Sequence, residues 1–229
     1  MKEIRHIFFD LDRTLWDFEE NSKQTLLEAI DEFQLIEKGI SSPDKFIEQY
    51  KVINEKMWKK YRMGNLAKEN LRVNRFVHSL KLFGIEDTDL ATKLADFYLS
   101  ESPKKTKLHD NARETLEYLS PKYRLHIITN GFEEVQLLKL NSAKIYHHFD
   151  CIITSDCVGQ KKPNPKIFKY ALHKAKSANH QAIMIGDDYE ADIEGALNAG
   201  MQAIHYSAKL NSNSTARTIK DLKELVSIF

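Results

Sequence analysis

From about residue 108 onward, short apolar runs alternate with amphipathic segments. Leu125-His126-Ile127-Ile128, Cys151-Ile152-Ile153, Ala182-Ile183-Met184-Ile185 and Gln202-Ala203-Ile204 read as strands. Asn111 to Leu119, Glu133 to Leu140, Lys166 to Ala175 and Ala191 to Ala199 have helical periodicity, and a final helix is expected around Leu222 to Phe229. Strands apolar on both sides have no face to give to water. Joined by helices, they predict a parallel sheet covered above and below, an α/β fold. Residues 4–10 supply one more strand, so five are expected. The polar run Asn211 to Thr215 reads as a loop.

Between Asn21 and Leu99 the pattern is helical throughout. Leu26, Leu27, Ile30 and Phe33 recur near helical spacing, as do Phe46, Tyr50, Ile53, Met57 and Tyr61. Ser42-Pro43-Asp44 resembles a helix start with proline in the first turn. The chain therefore divides into an α/β core, residues 1–16 plus 100–229, and an all-helical insert, residues 17–99.

A chain that is 42% hydrophobic and 29% charged can bury a substantial core. Its net charge of +1 removes the global electrostatic argument for nucleic acid. No apolar run is long enough to span a membrane, and the first residues lack the order of a secretion signal, so a cytoplasmic protein is expected. Cys151 and Cys157 match no metal spacing and read as reduced thiols.

Open parallel sheets bind ligands at the carboxyl ends of their strands. Here those ends carry Asp10-Leu11-Asp12-Arg13-Thr14, then Thr129-Asn130-Gly131, then Lys161 and Lys162, then Gly186-Asp187-Asp188 with Asp192 one turn later. Each alone has an ordinary explanation as a turn, a helix cap or a solvated face. Together they supply what phosphoryl transfer through an aspartyl phosphate needs. Asp10, held at a rigid strand end, is the candidate nucleophile. Asp12 is the candidate acid and base for the leaving group and for water. Asp187, with Asp10 and the chain at Asp12, offers the oxygen ligands Mg²⁺ prefers. Thr129 and the N–H groups near Asn130 and Gly131 can hold phosphoryl oxygens. A lysine offsets the clustered negative charge.

The segments "DLDRT", "TNG", "KKPNPKIF" and "GDDYEAD" resemble the four motifs of the haloacid dehalogenase-like hydrolases, in order and across essentially the whole chain. The resemblance implies a Rossmann-like core with a helical cap that opens and closes near Phe18. It implies Asp10 as nucleophile, Asp12 as acid and base, Thr129 as phosphate ligand and Asp187 as magnesium ligand. It selects Lys162, which precedes a proline, over Lys161, and puts Asp188 and Asp192 at accessory positions. Arg13 stands where the family usually has glycine. A similar replacement occurs in the branch resembling pyrimidine 5′-nucleotidases, as do stretches like "ITNGFEEVQLLKLNSAKI". That implies a nucleoside monophosphate as the small phosphorylated substrate. The rivals are phosphoglycolate or sugar phosphate hydrolysis, a metal-free dehalogenase, for which Asp12 and Asp187 are superfluous, and a non-catalytic regulator, against which the intact motifs argue.

For specificity the insert offers Trp58, Tyr61, Arg62 and Arg75, with Trp16, Asp17 and Phe132 near the motifs. Trp58 and Tyr61 read as helix-packing residues, Arg62 and Arg75 as surface charges, and the His147-His148 pair as surface.

Overall fold

A computed structural model describes residues 3–208 and 216–229, so the expected loop at Asn211–Thr215 lies outside the described residues. Two compact units are present: Met1–Phe18 with Thr106–Phe229, and Glu19–Lys105. The helical stretch runs beyond residue 99 because its last helix and a following 3-10 turn, Ser102–Lys104, carry the chain on.

In the α/β unit the strands are β1 (His6–Phe9), β2 (Arg124–Thr129), β3 (Phe149–Thr154), β4 (Ala182–Gly186), β5 (Gln202–Tyr206) and β6 (Arg217–Ile219). They form one parallel sheet in the order β3-β2-β1-β4-β5-β6. The sheet therefore has six strands, not five. The sixth has three residues, of which only Ile219 is buried, so no apolar run announced it. The first strand is shorter than expected and stops at Phe9, leaving Asp10 just beyond it. Ile7, Phe9, Leu125, Ile127, Ile183, Ile185 and Ile204 pack on one face of the sheet. Phe8, Ile128, Met184 and Ala203 pack on the other. The alternation of neighbouring residues between two buried faces is why these strands are apolar without a break.

One polar pair lies inside this sheet. His6 Nδ1 and His126 Nε2 are 3.0 Å apart, and the His126 ring stacks on Phe8 with centroids 4.6 Å apart. Burial lowers the pKa of both, and burial followed by the His6 ring takes His126 down to about 4. A histidine kept neutral by the fold but free to protonate when unfolded adds stability above about pH 6.5. That stability is lost as pH falls toward 4, because the unfolded chain then binds the extra proton. The loss from His126 is at most about 3 kcal/mol. Urea midpoints measured from pH 7 to pH 4 are expected to fall along this limb. His126→Phe, which keeps a ring on Phe8, is expected to flatten it.

The helical unit contains most of α1 (Phe18–Glu32), then α2 (Pro43–Arg62), α3 (Lys68–Lys81) and α4 (Thr88–Glu101), with no strand among the described residues. Pro43 sits in the first turn of α2 after Ser42, where its missing N–H costs nothing. Asp87 caps α4 by accepting from the Leu90 N–H at 2.9 Å. Leu26, Phe46, Tyr50, Phe76, Leu80 and Leu94 build its core. Trp58 and Tyr61 do pack, ring edge to face, at 5.5 Å. Arg75 is not the surface charge expected of it. It lies one turn from Leu71 and Ser79 on the buried face of α3 and is 3% exposed.

The α/β unit also carries α5 (Ala112–Leu119), α6 (Glu133–Ser142), α7 (Ser155–Val158), α8 (Pro165–Ala175), α9 (Gly195–Asn198) and α10 (Glu224–Ile228). A π-helical turn, Tyr189–Glu194, stands where α9 was expected to begin. The last helix starts later than the Leu222 expected for it, because Glu224 accepts from the N–H groups of Lys220 and Asp221 and so caps the turn before it.

Candidate active site

β1 pairs with β2 on one side, Phe9 opposite Ile127, and with β4 on the other, Phe9 opposite Ile185. The chain builds outward from β1 to β3, then returns to build β4 to β6 on the far side. The sheet order thus reverses beside β1, and the loops after β1 and β4 part there to leave room for a ligand. Asp10 continues the register: its N–H donates to the Ile185 carbonyl at 2.9 Å. The register alone brings the residues after β1, β2 and β4 to one edge.

Lys162 is 2% exposed and organises that edge. Its ammonium donates to Asp10 Oδ1 at 2.6 Å and to the Ile128 carbonyl at 2.7 Å, and lies 2.6 Å from Asp192 Oδ1. Three partners use all three of its donors. Asn130 clamps the backbone of Lys162, accepting from its N–H at 2.7 Å and donating to its carbonyl at 3.0 Å. The Asn130 side chain is thus committed to Lys162 rather than free for a ligand. Burial opposes the charge on Lys162, but Asp10 and Asp192 outweigh it and raise its pKa above the ordinary value.

One carboxylate oxygen from each of Asp10, Asp187 and Asp192 lies within 4.8 Å of the others. Burial pushes the Asp10 pKa up to about 7 against the pull of Lys162, with Asp192 adding to the rise. Burial and the Asp10 charge push Asp187 up to about 8, opposed by Arg13 and Lys162. Asp192 is likewise raised by burial against Lys162. Three buried acids with one lysine between them carry more negative charge than the chain itself neutralises. Converging hard oxygens of this kind fit a divalent cation. Thr14 donates to Asp187 Oδ1 at 3.3 Å.

The carboxylate of Asp12 stands outside this triad. It accepts from Lys139 Nζ at 2.5 Å and from Gln136 Nε2 at 2.8 Å. Those partners turn it away from the other acids, and Asp192 takes the third place. Lys139, 5% exposed, also lies 4.1 Å over the Trp16 ring. Neither Gln136 nor Lys139 was singled out in the sequence. The available signal was their spacing: they lie three apart on α6, on the face that also buries Leu140, so polar groups there had to find buried partners.

Thr129 closes β2, and its hydroxyl accepts from the Gly131 N–H at 3.1 Å and from Gln136 Nε2 at 2.9 Å. Asp188 caps the turn that follows by accepting from the Ala191 N–H at 3.0 Å, while its own N–H donates to Asp192 Oδ2 at 3.1 Å. Arg13 has φ 66°, the left-handed backbone that glycine adopts without strain, and its guanidinium lies 4.8 Å over Phe18. Gly186 is needed for close approach: a Cβ there would lie 2.2 Å from Asp192 Oδ2. Gly186→Ala is expected to displace the Asp192 carboxylate and to cost about 1–3 kcal/mol of stability. Denaturant unfolding checks this, and a cost indistinguishable from zero would mean that the Asp192 side chain can move aside freely.

A model of the haloacid dehalogenase-like hydrolases matches residues 7–206. The pyrimidine 5′-nucleotidase YjjG of Escherichia coli is 27% identical over 224 residues, covering 96% of this chain and 95% of its own. The glyceraldehyde 3-phosphate phosphatase of Methanothermobacter thermautotrophicus is 32% identical over 210 residues, 90% of this chain and 87% of its own. Among solved structures, the YfnB hydrolase of Bacillus subtilis bound to magnesium superposes with a TM-score of 0.89 at 26% identity, covering 99% of this chain and 98% of that one. The match spans all four strand-end segments and nearly the full length of each relative: the chain belongs to the haloacid dehalogenase-like hydrolases.

Proposed function

We infer that the protein is a Mg²⁺-dependent phosphatase that hydrolyses nucleoside 5′-monophosphates through a phosphorylated Asp10. The observation that carries the reading is the buried Asp10 carboxylate, held by Lys162 at 2.6 Å within a triad completed by Asp187 and Asp192. A carboxylate oxygen of Asp10 attacks phosphorus, and the ester P–O bond breaks with its electron pair on the departing oxygen. Protonated Asp12 gives that oxygen its proton. A water then attacks the phosphoryl group and gives a proton back to Asp12. The bond from phosphorus to Asp10 breaks with its electron pair returning to the carboxylate, and inorganic phosphate leaves. Lys139 and Gln136 hold Asp12 in position for both transfers. Lys162 orients Asp10, and Asn130 in turn holds Lys162. Thr129 and the N–H groups beside it receive phosphoryl oxygens. Asp10, Asp187 and Asp192 would hold Mg²⁺, which supplies positive charge against the phosphoryl oxygens.

Support for a nucleotide comes from Arg13 at the position glycine usually fills and from the likeness to YjjG along both chains. A second reading, a sugar phosphate, is favoured by the higher identity to the archaeal glyceraldehyde 3-phosphate phosphatase. Initial rates with Mg²⁺ on UMP, dTMP, AMP, glyceraldehyde 3-phosphate, hexose phosphates and phosphoglycolate separate the two. A kcat/KM at least roughly 10-fold higher for a nucleoside monophosphate is expected, corresponding to one well-made contact to the leaving group. The opposite ranking makes the protein a sugar phosphatase.

A further inference from the structure

The helical unit holds a buried cation with no counter-charge. Arg75 is 3% exposed, and among the described residues no carboxylate lies within ion-pair distance of it. Its Nε donates to the Arg72 carbonyl at 3.3 Å and one terminal nitrogen donates to Asn54 Oδ1 at 3.2 Å. A guanidinium has five N–H donors, so three are unmatched. The rings of Tyr98, Phe76 and Tyr50 flank it at 4.7, 5.5 and 5.9 Å. Tyr50 is fully buried, and its hydroxyl makes no hydrogen bond. Aromatic faces attract a cation, but they offer nothing to N–H groups in the guanidinium plane. Burying a charge is unfavourable unless it is paired and hydrogen-bonded, and an unmatched buried donor calls for a partner from outside the chain.

We propose that Arg75 and Tyr50 form a binding site inside the helical unit for a small oxyanion, a carboxylate or a phosphate group. The planar edge of a guanidinium matches two oxygens of such an anion, and a lysine could not replace it there. The adjacent phenolic hydroxyl adds a third donor. The ligand supplies the negative charge that the sequence withholds from this core, so its binding stabilises the folded unit.

The test uses the full chain, with thermal unfolding followed in chloride at fixed ionic strength and with malonate or inorganic phosphate added. A Tm rise of roughly 3–6 °C is expected at ten times the Kd. The rise is expected to persist in Asp10→Asn, to vanish in Arg75→Met and to need more anion in Tyr50→Phe. Response to malonate alone identifies a carboxylate, and response to phosphate alone identifies a phosphate. No rise with either anion overturns the proposal, as does an equal rise in the parent and Arg75→Met. Should Arg75→Met fail to fold, Arg75→Lys and Tyr50→Phe decide, and an unchanged Kd in both overturns the site. Hydrolytic turnover is not the readout, so failure here is distinct from failure of the phosphatase reading.

Discussion

Asp10→Asn is expected to lower kcat for any phosphate ester by roughly 10⁴-fold or more, because the amide oxygen is too weak a nucleophile to form the phosphorylated intermediate. The replacement keeps shape and leaves the N–H of residue 10 bonded to Ile185, so the far-ultraviolet dichroism and a cooperative melt are expected to persist. Lys162 retains Asp192 at 2.6 Å, which limits the structural damage. Steady-state rates on para-nitrophenyl phosphate with Mg²⁺ give the first number. Trapping with radiolabelled phosphate donor and acid quench gives the second: a label on protein from the parent, none from the variant. Turnover within about tenfold of the parent would remove the covalent mechanism, since that is less than an absent nucleophile costs.

The second large effect is on stability. Lys162→Met leaves Asp10 and Asp192 buried, 6% and 1% exposed, without the cation between them. Removing one partner of a buried ion pair typically costs about 3–5 kcal/mol, which for a chain of this size lowers Tm by roughly 6–20 °C. The penalty is expected to shrink at pH 5, where the two acids, already raised by burial, take up protons and no longer need the lysine. It is also expected to shrink when Asp192→Asn is added, because the second variant removes one of the two stranded charges. Denaturant unfolding at pH 8 and pH 5 on the four chains of this cycle measures both effects. A loss below about 1 kcal/mol at pH 8, or no recovery in the double variant, means that Lys162 is not the counter-ion of the pair.

Much of this was legible from residue types and order. The apolar runs after residue 108 announced a parallel sheet because a strand covered on both faces has no polar side to display. The placement of Asp10, Thr129, Lys162 and Asp187 at strand ends followed from the same pattern, since the carboxyl edge is where loops are free to carry function. β6 was illegible for the converse reason: an edge strand of three residues with one buried side chain has no periodicity to read. The trio Asp10, Asp187 and Asp192 was half legible. Asp192 was as easily a cap as a partner of the site, and only its salt link to Lys162 and its position over Gly186 bring its carboxylate beside the other two.

The sequence by itself determined the architecture and the chemistry present at the sheet edge, because both depend on local periodicity and on residue types at strand ends. Only the tertiary structure decided which charges meet. It turned Asp12 toward Lys139 and Gln136, committed Asn130 to the backbone of Lys162, and buried Arg75 among three rings. Pairing of buried charges depends on distances between residues up to 152 positions apart along the chain, and no periodicity in the sequence encodes them.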